Sequence, residues 1–253
     1  KEYPMRDMNF PTVDPADPLR LTDEEEELLH TLELSFRHNA RLHEHVRFLY
    51  SNGSMYKCCN SNLLYHGCIP MTENREFDGL MVGGKMYRGK ELMDFIDTQV
   101  KNAYFLPEDA PEKEACRDFM WYLWNGAKSP VFGKDKNRSF EHYFIEDPEV
   151  MRETMNPYYQ LSEEEETCDM ILKEFGLPTK GSHIINGHMP VKIKSGETPI
   201  RAGGKLFIID GGLSKAYQER TGIAGYTLIF NSHHLALAEH KPFDPERERT
   251  PKV

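Results

Sequence analysis

The spacing of apolar residues changes along the chain, from a helical period in the first two thirds to short strand-like runs near the end. From Thr22 to about Tyr50 they recur at three- and four-residue spacing, which predicts one helix. Further helices are predicted over about 91–104, 111–124, 147–155 and 163–175. Strands are predicted over 54–59, 61–65, 184–186, 189–194, 206–209, 225–230 and 235–238. The pattern indicates an α/β (α+β) fold.

Two of the predicted strands end in the same way. One runs through Ile184-Ile185-Asn186-Gly187-His188, and the other through Asn62-Leu63-Leu64-Tyr65-His66-Gly67. A strand that stops at a histidine beside glycine holds an imidazole at a sheet edge on a rigid backbone. Because neutral imidazole is a common metal ligand, we predict that His66 and His188 belong to one metal site. No local spacing links them, so ordinary core or loop histidines are the alternative.

Three basic residues bear on anion binding, and one carboxylate bears on the metal site. A basic loop contains Lys134 and Arg138 and is a candidate anion site, with a solvated loop as the alternative. Lys215 follows the turn Asp210-Gly211-Gly212, which places an ammonium group near that turn. Asp210 ends an apolar strand, where it would either orient a metal-binding histidine or hydrogen-bond its own backbone.

Composition narrows the class of protein. The chain has 253 residues and is 39% hydrophobic, which suits a globular protein. Its net charge of −10 argues against general nucleic-acid binding, and no apolar run approaches the roughly 18 residues of a membrane span. Five cysteines without a CxxC pair predict free thiols in a reducing cytoplasm. Residues 1–21 predict an extended lead-in and 244–253 a charged tail.

Long stretches of the sequence resemble the class 3 fructose-1,6-bisphosphatases, bacterial enzymes of the calcineurin-like metallophosphoesterase superfamily. The resemblance covers about residues 14–243 and is carried by four runs: Asn60–Met71, Ser129–Lys134, Ile184–Lys192 and Phe207–Ile229. It implies part of a metallophosphoesterase fold, with a β-sandwich core flanked by helices. In that reading, residues 22–243 are the C-terminal portion of the domain, with a helical insertion at about 91–175.

The resemblance also implies a function. The complete enzyme would hydrolyse fructose 1,6-bisphosphate to fructose 6-phosphate and phosphate, in gluconeogenesis, by a two-metal mechanism that uses Mn²⁺. His66 and His188 would bind one of the ions. Lys134, Arg138 and Lys215 are the expected phosphate contacts. The expected partner is a sugar bisphosphate, not nucleic acid or a membrane, and a homo-oligomer is left open.

The chain departs from the superfamily in one respect. The motifs Asp-x-His, Gly-Asp-x-x-Asp-Arg-Gly and Gly-Asn-His-Asp/Glu, which supply the other metal ligands, do not occur in these residues. The chain is therefore expected to be the C-terminal portion of a longer enzyme, with an incomplete metal pair. The alternatives are another metal-dependent phosphoesterase, such as a phosphoprotein phosphatase, or a non-catalytic fragment.

Overall fold

The computed structural model describes residues 2–241, so the tail predicted at 244–253 lies outside the described residues. The chain divides into two compact units. The first consists of residues 2–54, 98–120 and 136–154. The second consists of residues 55–97, 121–135 and 155–241.

The first unit is helical. It contains α1 (Asp23–Arg37), α2 (Ala40–Asn52), part of α3 (Gly89–Phe105), part of α4 (Lys113–Asn125) and α5 (Glu141–Phe144). The prediction of one helix from Thr22 to Tyr50 is wrong, because the Asn39 side chain accepts a hydrogen bond from Leu42 N at 3.0 Å and starts α2 there. The helix predicted over 147–155 is also wrong, since residues 148–151 form turns and the others are not helical.

The second unit holds the strands. They are β1 (Tyr56–Cys59), β2 (Asn62–Tyr65), β3 (Gly79–Val82), β4 (Lys85–Arg88), β5 (Ile184–Asn186), β6 (Ile200–Arg201), β7 (Leu206–Ile208), β8 (Tyr226–Phe230) and β9 (Leu235–Glu239). The unit also contains α6 (Tyr158–Leu161), α7 (Glu165–Glu174) and α8 (Lys215–Thr221), with 3₁₀ turns at Ile193–Ser195 and Ala202–Gly204. The strand predicted over 189–194 is wrong. Pro190 cannot donate to a ladder, and the chain enters the first 3₁₀ turn instead.

Five strands form one mixed sheet in the order β1-β2-β5-β7-β6. The three central strands β2, β5 and β7 are parallel, with Leu63 opposite Ile184 and Ile184 opposite Leu206. The carboxyl ends of parallel strands meet at one edge of a sheet. His66, His188 and Asp210, which follow these three strands, therefore share that edge.

The hydrophobic core lies beneath this sheet, in the second unit. It packs β2, β5 and β7 against α7, whose Ile171 and Leu172 are fully buried. Since helices and a mixed sheet occur together, the predicted α/β class is confirmed. The other two sheets are the hairpins β3-β4 and β8-β9. No helix within residues 2–241 has both the length and the apolar character that a bilayer crossing requires.

Candidate metal centre at the strand edge

The two predicted histidines meet at the carboxyl edge of the sheet. His66 Nε2 lies 3.0 Å from His188 Nδ1, and the two rings are close to perpendicular. The backbone extends the pairing of β2 with β5, because Gly187 N donates to His66 O at 2.9 Å. The sheet thus brings together two imidazoles that are 122 positions apart in the sequence.

The other nitrogen of His188 determines the tautomer of this pair. His188 Nε2 lies 3.0 Å from the carbonyl oxygen of Phe132, which can only accept a hydrogen bond. The neutral His188 ring therefore carries its proton on Nε2 and presents an unprotonated Nδ1 to His66. Such a hydrogen bond to a backbone carbonyl is the usual way to orient a metal-binding imidazole.

The backbone on both sides of the pair is constrained. His188 has a φ of +63°, in the left-handed region that costs a non-glycine residue about 1–2 kcal/mol. Left-handed residues of this kind cluster at functional sites. Gly67 is equally restricted, because a Cβ at that position would lie 2.5 Å from the carbonyl oxygen of Pro130. The loop after Ser129 therefore packs directly on the histidine edge.

A buried hydrogen-bond network supports the edge from below. Asn186 Nδ2 donates to Gly67 O at 3.2 Å and to the Tyr158 hydroxyl at 2.8 Å. That hydroxyl lies 2.6 Å from the hydroxyl of Tyr65. Burial raises the pKa of both phenols, so both stay protonated and available as donors. The network links the strands that carry the two histidines.

The electrostatic surroundings favour neutral imidazoles. Desolvation lowers the pKa of His66, and His188 lowers it further, whereas the negative charge of Asp210 opposes both effects. Desolvation also lowers the pKa of His188 against the opposing hydrogen bond to Phe132, and the charge of Lys134 lowers it as well. Only neutral imidazole binds a metal ion, so these shifts suit a ligand pair.

The 3.0 Å separation is that of a hydrogen bond in which His66 Nε2 donates to His188 Nδ1. It also fits two ligands of one ion when His66 carries its proton on Nδ1 instead. Two metal–nitrogen bonds of about 2.0–2.1 Å at roughly 90–110° place the nitrogens about 2.9–3.4 Å apart, and His66 Nε2 and His188 Nδ1 are 3.0 Å apart. Within residues 2–241, however, no group of three or more His, Cys, Asp or Glu side chains could hold a metal ion. Among the described residues the site therefore offers two imidazoles and no third candidate ligand.

Asp210 lies beside the pair without a hydrogen bond to either ring in the described structure. Its Oδ1 accepts from Gly212 N at 2.8 Å, which is the turn geometry expected of an aspartate that bonds its own backbone. Asp210 and His188 both line a cavity of about 630 Å³, together with Ser214 and Tyr217. The carboxylate therefore acts on the histidines through its charge.

The three predicted phosphate contacts lie in different places. Lys134 is in the second unit, on the same loop as Phe132, whose carbonyl oxygen bonds His188. Its ammonium is 5.8 Å from the Phe132 ring centroid. Arg138 belongs to the first unit, where it pairs with Glu141 at 2.6 Å. Lys215 begins α8 and lines a separate cavity of about 560 Å³ with Lys194 and Lys241.

Sequence reasoning missed three groups at this site. Asn186 stands inside the Asn-Gly-His motif, but it was assigned no role there. Tyr158 lies outside every predicted helix and strand. The carbonyl of Phe132 has no sequence signature, because every residue carries one.

The fold and the site define a mixed α/β protein with paired imidazoles at the ends of parallel strands, an arrangement suited to holding a metal ion. The sequence model of the family described as Firmicute fructose-1,6-bisphosphatase matches residues 1–251. The chain belongs to that family.

Curated relatives agree with this family assignment. The class 3 fructose-1,6-bisphosphatase of Bacteroides fragilis is 54% identical over 243 residues, which are 96% of this chain and 37% of the relative. The proteins of the same name from Bacteroides thetaiotaomicron and Fusobacterium nucleatum are 50% and 52% identical, over 98% and 96% of this chain and 37% and 38% of their own lengths. The chain thus spans little more than a third of these relatives. No solved structure matches it significantly.

Proposed function

We propose that this chain forms part of a fructose-1,6-bisphosphatase that hydrolyses fructose 1,6-bisphosphate to fructose 6-phosphate and phosphate, in gluconeogenesis. The observation that carries the proposal is the 3.0 Å approach of His66 Nε2 and His188 Nδ1 at the strand edge of a chain from this family. The substrate class comes from the names of the relatives. In this proposal, residues 22–243 are part of the phosphoesterase domain.

His66 and His188 would hold one divalent ion, with Mn²⁺ as the expected metal. When bound, divalent ions neutralise phosphoryl oxygens and lower the pKa of water. The chain's own residues lower the pKa of both imidazoles, which favours the neutral form, and the carbonyl of Phe132 fixes the orientation of the His188 ring. The remaining ligands would come from the part of the family polypeptide that this chain does not span.

The cavity beside His188 is the proposed entry for substrate. Ser214 and Tyr217 line it and offer hydroxyl groups, which suit a sugar. Lys134 is the proposed phosphate contact that the electrostatics of the pair support, because its positive charge lowers the pKa of His188. Arg138 and Lys215 stay predictions. A cytoplasmic location is likewise proposed, since all five cysteines are free thiols.

The test uses a chimera in which this chain replaces the matched 243 residues of the Bacteroides fragilis relative. We expect phosphate release from fructose 1,6-bisphosphate with Mn²⁺. His188→Ala should lower the rate about 100-fold or more, because a metal ligand is lost. His183→Ala is the matched control, since His183 precedes the same strand at its other end and bonds Gly204 O. An active His188→Ala chimera would refute the ligand role.

The same chimera separates the alternatives. A phosphoprotein phosphatase would release phosphate from a phosphopeptide and not from the sugar bisphosphate. The isolated chain should be inactive with either substrate, because the described residues hold fewer than three ligands at the site. Clear turnover by the isolated chain would contradict the assignment of the missing ligands to another part of the polypeptide.

A further inference from the structure

Helices α1 and α2 in the first unit contain no buried residue. Together they span 28 residues, yet every side chain on them is at least partly exposed to solvent. Helices in globular proteins normally bury one apolar face. The main cluster of buried apolar residues lies in the second unit and includes none of their side chains.

Four of the five exposed leucine and phenylalanine residues of α1 lie together, and the fifth, Leu34, lies on another side of the helix. Leu28, Leu29, Leu32 and Phe36 follow the one-, four- and eight-residue spacing that places them on one face, and they are 47–65% exposed. We call these four residues the α1 stripe. Glu26, Glu27 and Glu33 lie on the other sides of the helix, which begins with a capping box between Thr22 and Glu25. A capped, amphipathic helix with an uncovered stripe is typical of a surface that another polypeptide covers.

We infer that the α1 stripe is the docking surface for the part of the fructose-1,6-bisphosphatase polypeptide that this chain does not span. The inference rests on the proposed function, because it assumes the full-length enzyme. The relatives contain the counterpart of this chain in about 37% of their length, so well over half of each polypeptide is available to cover the stripe. The family match includes α1, so this helix lies in the part of the chain that corresponds to the family.

A second copy of this chain is the less favoured occupant. Each copy carries a net charge of −10, so self-association brings like charges together. A segment of the same polypeptide also docks at a high effective concentration, which a separate copy lacks. The partner surface is accordingly an apolar patch within the enzyme's own polypeptide.

Thiol labelling tests the inference without reference to catalysis. Leu32→Cys places a thiol on the α1 stripe, and His30→Cys places one on the opposite face of the same helix as a matched control. Each variant is made in the isolated chain and in the Bacteroides fragilis chimera. Reaction with N-ethylmaleimide is then followed peptide by peptide in the mass spectrometer, so the native cysteines do not interfere.

In the isolated chain we expect both variants to react at similar rates. In the chimera, Leu32→Cys should react at least about tenfold more slowly, while His30→Cys changes by less than about threefold. Equal rates for Leu32→Cys in the two proteins would overturn the inference. Concentration-dependent protection in the isolated chain would also overturn it, because it would identify a second copy as the occupant.

Folding of the chimera is checked in the same experiment, because the buried Cys68 and Cys168 must stay unreactive. If Cys68 and Cys168 react, the chimera is not correctly folded. The labelling is then repeated on this chain co-expressed with the rest of the relative as a separate polypeptide, and protection of Leu32→Cys in that complex decides the test. Protection of Leu32→Cys in a chimera that lacks phosphatase activity would support the docking surface and refute the proposed function. Phosphatase activity without protection of Leu32→Cys would support the proposed function and refute the docking surface.

Discussion

The side-chain amide of Asn186 donates a hydrogen bond to the carbonyl oxygen of Gly67, at 3.2 Å. This bond connects the residue after His66 to the residue two before His188. The strand ends that carry the two imidazoles are therefore tied through a buried side chain as well as through the sheet. Asn186 is only 4% exposed, so water does not compete for the bond.

Asn186→Ala should weaken both the fold and the metal site. It leaves Gly67 O and the Tyr158 hydroxyl without their donor, at a cost of about 1–3 kcal/mol in the free energy of unfolding, measured with urea. Because a positioning residue of a metal ligand is lost, the Mn²⁺ concentration that half-activates the chimera should rise about 10–100-fold. A destabilised variant with an unchanged Mn²⁺ requirement would show that Asn186 serves the fold alone.

Tyr65 and Tyr158 should be energetically coupled. Their hydroxyls lie 2.6 Å apart and both residues are buried. Each single Tyr→Phe substitution should cost about 1–2 kcal/mol, and the double variant should cost about 1 kcal/mol less than the sum of the two. Urea unfolding of the four proteins measures the coupling. Strict additivity would mean that the two hydroxyls do not bond to each other.

Two glycines at the site should respond differently to alanine. Gly67→Ala should destabilise the chain by about 1–3 kcal/mol, because its Cβ would lie 2.5 Å from Pro130 O. Gly187→Ala is the matched control, since the nearest atom to its Cβ is Asp210 Cβ at 3.6 Å. The control should change the free energy of unfolding by less than about 0.5 kcal/mol. Similar effects at both positions would contradict the close packing of the Pro130 loop on Gly67.

The five cysteines should separate into two reactivity classes. Cys58 and Cys59 are exposed, whereas Cys68, Cys116 and Cys168 are buried. Burial raises the pKa of Cys68 and that of Cys168 to about 12, so both remain thiols near neutral pH. A colorimetric thiol titration should count two reactive groups in the native chain and five in denaturant. Rapid native reaction of Cys68 would contradict its burial.

Much of the strand region could be predicted from the sequence. The strands predicted over 54–59 and 61–65 correspond to β1 and β2, which a tight hairpin turn joins because Asn60 and Ser61 both adopt a positive φ. The approach of His66 to His188 followed from two strands that end in the same way. Such inferences succeed because apolar runs and glycine turns are local signals that the parallel sheet then aligns.

The failures have physical causes of a different kind. Periodicity alone continued α1 through Asn39, because a cap acts through one side-chain hydrogen bond and leaves the apolar spacing intact. The helix α8 was not predicted, since seven residues give too few turns for a periodic signal. The contact of His188 with the carbonyl of Phe132 depends on tertiary packing, so no local pattern of residues predicts it.

The separation of the two histidines along the chain has a consequence for folding kinetics. His66 and His188 meet only when β2 pairs with β5, which closes a loop of 122 residues. Forming so distant a contact is slow, because the chain loses conformational entropy before the contact repays it. A divalent ion that binds both imidazoles would slow unfolding by holding this loop closed, and would bind partly folded chains poorly. The rate at which ion binding appears during refolding would therefore report when the long-range strand pairing forms.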